Sequence, residues 1–198
     1  MRSYRFVRRR RSVSLCLAAL LILAAGAVGW IVGRMGAVDE RPDIVLAVYR
    51  HDLGRTVEMG LEEYVRGVVA AEMPATFHLE ALKAQAVAAR TLALRLWLDR
   101  VPLSHQPDAI ISTDPSTHQA WLSDEQLREK WGGLAYFWFS EKVNRAVAQT
   151  RGLVLTYNGE VIYPAYHASS GGRTEDSENY WTTFVPYLRS VEDPYVAG

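Results

Sequence analysis

Cysteine is almost missing from this 198-residue chain: Cys16 is the only one, and it falls inside an uncharged apolar run. The rest of the chain can make no disulfide within itself and offers no thiolate as nucleophile or metal ligand. Acidic residues are missing from the first 38 positions. There Arg2, Arg5, Arg8, Arg9, Arg10, Arg11 and Arg34 supply seven of the 22 basic residues. The formal net charge of zero therefore hides an asymmetry, with 15 basic against 22 acidic residues after position 38, a net of −7. A folded part with that balance lacks the basic face of a nucleic-acid binder, so no nucleic-acid partner is expected. Internal repeats are lacking, as are low-complexity tracts beyond the arginine cluster.

One long apolar run stands out against these absences. Ser12 to Gly33, "SVSLCLAALLILAAGAVGWIVG", holds 22 residues without a charge. At ~1.5 Å per residue a helix of that length crosses a ~30 Å hydrocarbon core. It is longer than the apolar region of a cleaved signal peptide, and no clean A-x-A site follows it. The expectation is an uncleaved signal-anchor at 12–33 behind a basic cytoplasmic tail at 1–11. By the positive-inside rule everything after Arg34 is exported, as a single-pass protein of the cell membrane with an extracytoplasmic domain. Residues 34–43 read as a linker, and 44–198 as one domain of the α+β class with 49% hydrophobic and 22% charged residues over the whole chain.

Within that domain, "IVLAVYRHD" and "RTVEMG" alternate as two strands joined through Asp52-Leu53-Gly54. "LEEYVRGVVAAEM" has helical period and must stop at Pro74. A second helix is expected from about Leu79 to Arg100, with Pro102 marking its end and Glu80 as a first-turn charge. The stretch 101–121, with three prolines, reads as an irregular loop with one short strand. "SDEQLREKWG" carries a helix-start signature and is stopped by Gly132-Gly133. "FSEKVNRAVAQT" follows as a further helix, and "GLVLTYNGEVIYPAYHAS" as a hairpin turning at Asn158-Gly159. "SSGGRTEDSENYW" reads as a glycine- and serine-rich loop.

Glu72 is the awkward residue. Positions 65, 68, 69 and 72 share one helical face, so Glu72 continues the stripe of Val65, Val68 and Val69. It also lies in the last turn, where the helix dipole opposes an anion. Partial desolvation and that dipole both disfavour the ionised form, which is the condition a general acid requires. The plain alternative is a frayed helix end with Glu72 turned into water.

"EEYVRGVVAAEMPATFHLEALKAQAVAARTLAL" resembles the core motif of the SpoIID/LytB family. "TDPSTHQAW" resembles its mid-domain loop, and "VAQTRGLVLTYNGEVIYPAYHASSGGRTEDSENYW" with "VPYLRSVEDPY" resembles its C-terminal half. The likeness covers roughly 44–196. It implies a lytic transglycosylase acting on peptidoglycan glycan strands, with Glu72 as catalytic acid/base. It further implies septal wall remodelling in sporulation and engulfment, alongside other wall hydrolases as partners. The LytB branch implies a different outcome, a non-catalytic glycan-binding enhancer of an amidase. Family domains commonly continue past the point where this chain stops, at Gly198, so a C-terminal truncation is one reading.

The resemblance brings further residues into view as glycan contacts. Gln85 and Arg90 fall in its helical motif. Arg90 could hold the glycan or orient Glu72, or form a salt bridge or snorkel. His118 and Gln119 belong to "TDPSTHQAW". Tyr166, His167, Ser169, Ser170 and Gly171 belong to the glycine-rich loop, as polar groups lining a sugar groove; Tyr166 and Trp121 are also candidate stacking platforms or core aromatics. His167 with Ser169 or Ser170 makes no nucleophilic pair, since the G-x-S-x-G elbow is absent. Some family members bind zinc through cysteines and a histidine in the mid-domain loop. Here Ser112 and His118 stand at the cysteine positions, so no metal and no other cofactor is expected. A third, metal-dependent hydrolase reading would have to use His105, Asp114 and His118.

Overall fold

The structure, a computed structural model, describes residues 44–194. The basic tail, the apolar run and nearly all of the linker lie outside the described residues. Among those described, no helix is long and apolar enough to cross a membrane.

The alternation at the start of the domain folds as read. Strands β1 (Val45–Arg50) and β2 (Arg55–Gly60) pair antiparallel, from Val45 opposite Gly60 to Arg50 opposite Arg55. Leu46 and Val48 point inward and are fully buried, while Val45 faces out. The turn between them needs Gly54 at φ +62. The short strand expected in the proline-rich stretch is β3 (Ile111–Ser112), which lies parallel to β1 in the order β2-β1-β3. Flanking bonds from Ile110 N–H to Ala47 O and from Thr113 N–H to Tyr49 O extend the pairing.

Helix α1 (Leu61–Glu72) follows β2 with no residue between them. Pro74 forces Met73 into extended backbone (φ −124, ψ 142), so α1 ends at Glu72. Helix α2 (Leu79–Asp99) starts at His78, whose Nδ1 accepts from Glu80 N–H, and closes with Arg100 in the left-handed region. Helix α3 (Asp124–Trp131) has the reciprocal Ser123–Gln126 capping box. Helix α4 (Gly133–Gln149) completes a three-helix body with α1 and α2. Its core joins Val65, Val68 and Val69 to Leu82, Ala86, Ala89, Val143 and Ala146. The alanine face of α2 lets its neighbours approach closely.

Three elements differ from the sequence reading. Helix α4 begins at Gly133, not near Phe139; Gly132 alone, at φ +70, breaks the chain. Leu134, Phe137 and Trp138 point outward, so the first turns of α4 have no polar outer face to mark them as helix. The hairpin at Asn158-Gly159 turns as expected, with both residues at positive φ, but its strands β4 (Thr156–Tyr157) and β5 (Glu160–Val161) are two residues each. A short helix, α5 (Ser177–Trp181), interrupts what reads as a loop.

Candidate active site

The site forms where the C-terminus of α1 meets the segment 118–122. That segment is seated by a missing side chain. Gly67, on α1, lets the indole of Trp121 lie directly against the helix; a Cβ at this position would come within 2.1 Å of Trp121 Nε1. Leu122 N–H donates to Gly67 O at 3.3 Å, and the Arg50 guanidinium lies 4.4 Å over the Trp121 ring. With the segment held there, Ala120 N–H donates to Glu72 Oε1 at 2.9 Å. Glu72 is half-buried at the last residue of α1, on the face it shares with the buried Val65, Val68 and Val69.

A polar chain stands behind it. Tyr64, one helical turn before Val68, is fully buried, and its hydroxyl donates to Gln119 Oε1 at 3.4 Å. Gln119 Nε2 donates to the Tyr166 hydroxyl at 3.0 Å. Burial raises the Tyr166 phenol above its ordinary value; the bond from Gln119 opposes this, and the neighbouring Glu72 carboxylate adds to it. Burial likewise raises Tyr64, with smaller contributions from Tyr166 and Glu72. Gln85, beside Tyr166, is buried with its amide nitrogen making no hydrogen bond.

These groups open onto a cavity of about 600 Å³ lined by Glu72, His118, Tyr163, Tyr166 and Trp181 among others. His118 is half-buried and its Nδ1 accepts from Ser112 N–H at 3.1 Å, so any ring proton sits on Nε2; burial lowers its basicity. A second cavity of about 530 Å³ adjoins it and shares Ala165, Tyr166, Trp181 and Leu188 as a wall. His167, Ser169, Arg173 and Tyr180 face this second space. The size of each is that of a small-ligand site, and exposed aromatics beside hydrogen-bonding groups suit sugar rings.

Of the residues singled out from the sequence, Glu72, Gln85, His118, Gln119 and Tyr166 come together here. Four others, Arg90, Ser170, Gly171 and Trp121, are placed otherwise. Arg90 is 1% exposed and belongs to the core. Its guanidinium grips Glu62 with two bonds of 2.9 and 2.7 Å and donates to Val147 O and Leu153 O, so the salt bridge weighed as its alternative is the one formed. Gln119, one of the residues that do come together, is 1% exposed, lines the cavity and bridges Tyr64 and Tyr166. Ser170 borders the second cavity but its hydroxyl donates to Asp193 at 2.9 Å, and Gly171 serves the turn at φ +67. Trp121 is occupied by Gly67 and Arg50. Ala120, Gly67 and Tyr64 were not legible as site residues; only Tyr64, at i−8 from Glu72 on the same face, left a signal in the spacing.

The residues present do not fit the zinc site of some relatives. Ser112 is buried with its hydroxyl accepting from Asp114 N–H, and no thiolate stands in the loop. Nor do His105, Asp114 and His118 converge. Asp114 accepts from Ser116 and faces His51 at 4.0 Å, while His105 packs edge-on against Tyr49. Among the described residues no three His, Cys, Asp or Glu side chains form a metal-holding group.

Comparison with known proteins gives the chain's relatives. The chain is 42% identical over 152 residues to stage II sporulation protein D of Bacillus subtilis (strain 168), covering 77% of this chain and 44% of that one. It is 40% identical over 163 residues to the protein of the same name from Bacillus amyloliquefaciens, covering 82% and 46%. An amidase enhancer of Bacillus subtilis is 40% identical over 135 residues, 67% of this chain and 16% of that protein. The chain thus spans under half the length of these relatives. The SpoIID family model, described as stage II sporulation protein, matches residues 49–157, more than half of the chain, and the chain belongs to that family.

Proposed function

We propose that this domain is a peptidoglycan lytic transglycosylase with Glu72 as its single acid/base. Protonated Glu72 gives its proton to the glycosidic oxygen between N-acetylmuramic acid and N-acetylglucosamine. The carboxylate left behind takes the proton of the muramic C6 hydroxyl, whose oxygen closes a 1,6-anhydro ring at C1. One observation carries this reading: among the described residues Glu72 is the sole carboxyl lining its cavity. A hydrolysing glycosidase ordinarily needs two carboxyls, one for the leaving group and one for water or the anomeric carbon. An intramolecular hydroxyl as nucleophile removes the need for the second. With Oε1 held by Ala120 N–H, the other oxygen is left to carry the proton. The run 12–33 would anchor the protein in the membrane, with the domain outside, acting on septal wall beside other sporulation hydrolases.

The relative named amidase enhancer favours a second reading, a glycan-binding module that aids a partner amidase without breaking a bond. The test is incubation of the purified protein with peptide-free glycan strands, followed by mass spectrometry for 1,6-anhydromuramic ends. The transglycosylase reading expects such ends from wild type and a loss of at least about a hundredfold in Glu72→Gln, a removed proton donor being worth on the order of 10²–10⁴ in rate. Glycan binding without any new ends would support the enhancer instead.

A further inference from the structure

The hydrogen-bond direction at Gln119 follows from burial alone. Tyr64 is fully buried, and the bond to Gln119 is the one its hydroxyl makes among the described residues. A buried O–H must donate to something, so the Gln119 oxygen has to face Tyr64. The amide nitrogen then faces Tyr166 and donates to it at 3.0 Å. A phenol has one hydrogen. With its oxygen receiving from Gln119, Tyr166 must send that hydrogen elsewhere; Glu72 lines the same cavity as Tyr166, and Gln85 is the other polar side chain beside it.

We propose that Gln119 is a positioning residue that commits Tyr166 to donate its hydroxyl hydrogen to Glu72. This rests on the reading of Glu72 as the acid/base. As the proton leaves Glu72 for the glycosidic oxygen, the Tyr166 hydrogen bond falls on a newly formed carboxylate and strengthens. The bond is thus worth more in the transition state than in the ground state, which accelerates the step. Tyr64 contributes at one remove by fixing which end of the amide faces the site. An amide that turned over would take the Tyr166 hydrogen for itself and leave Tyr64 without an acceptor.

Two measurements test this. Neutron diffraction from deuterated wild-type crystals reads the position of the Tyr166 hydroxyl deuterium directly, whether or not the protein is active. It is expected on the line to Glu72; a deuterium pointing to Gln119 or Gln85 overturns the proposal. Kinetics on peptide-free strands then compare wild type, Tyr166→Phe, Gln119→Met and the double variant, each checked for folding by its melting curve. Both single variants are expected to lower kcat about ten- to a hundredfold, the worth of a hydrogen bond to a charged group, with KM little changed. The double variant should be no worse than Tyr166→Phe. An additive double variant, or Tyr166→Phe with wild-type kcat, overturns the role of Gln119. If Gln119→Met does not fold, Tyr64→Phe, which frees the amide to turn, replaces it: a fall in kcat that vanishes in the Tyr166→Phe background is expected, and one that persists there overturns the proposal. Absence of anhydro ends from wild type would sink the transglycosylase reading itself, a result distinct from any of these.

Discussion

Gly67 has no side chain because Trp121 occupies the space one would need. Helix propensity alone would make Gly67→Ala more stable by about 1 kcal/mol. The 2.1 Å approach to a rigid, packed indole reverses the sign, and overpacking of this kind costs about 1–3 kcal/mol. Denaturant unfolding should therefore show Gly67→Ala destabilised. Its activity should fall as well, because Trp121 cannot move without carrying Ala120 N–H away from Glu72. Gly67→Ala with normal stability would mean that the segment 118–122 can sit elsewhere. The role of Ala120 could not be read from its residue type, because a backbone N–H is common to every residue but proline. Ala120→Pro removes that donor, and anhydro-end release should drop with it.

Among the elements, Arg90 ties α1 through Glu62 to the end of α4 through Val147 O and to the chain beyond it through Leu153 O. Removing one partner of a buried pair leaves the other charge uncompensated. Arg90→Ala should cost about 3–5 kcal/mol in equilibrium unfolding, and replacing both residues as Arg90→Met with Glu62→Met should recover much of that. The helices and the first hairpin were legible because their signals are local: alternation, a proline after Glu72, Ser123 three residues before Gln126. Arg90 was not, because an arginine on an alanine-rich helix looks the same whether its partner is a glycan or a glutamate 28 residues earlier. The parallel pairing of β3 with β1 joins residues some 60 positions apart, and two residues of strand carry too little pattern to announce it. The start of α4 was hidden by Leu134, Phe137 and Trp138, whose outward placement breaks the period that marks a helix.

At the scale of the molecule, packing is uneven. Most fully buried residues lie in β1, β3 and the helices, with Ala109 and Gln119 in the loops on either side of β3, whereas between 151 and 194 only Ser177 is buried. Glu72 stands on the well-packed side, while Tyr166, Trp181 and Leu188, on the wall of both cavities, belong to the other. The second part is held largely by polar bonds, among them those of Arg189 to Glu178. The Arg189 guanidinium holds the Glu178 carboxyl down to about 2, against an ordinary 4.5. A depressed carboxyl stabilises the fold in full above its unfolded value and loses that contribution as pH falls through the folded one. Hydrogen exchange between pH 4.5 and 2 should therefore show Thr174, Ser177 and Leu188 amides losing protection before those of α1 and α2, and Arg189→Met should erase the pH dependence of that loss. The same segment closes on itself. Thr174 N–H bonds Val191 O, Asp193 N–H bonds Gly172 O, and Ser170 meets Asp193, so the chain leaves near the point where it entered. A stretch with adjoining ends can be exchanged between related proteins like a cassette, carrying one wall of both cavities with it and leaving the helix that presents Glu72 untouched. On the proposed reading, preference for one glycan over another then diverges by loop replacement while the proton chemistry stays with Glu72.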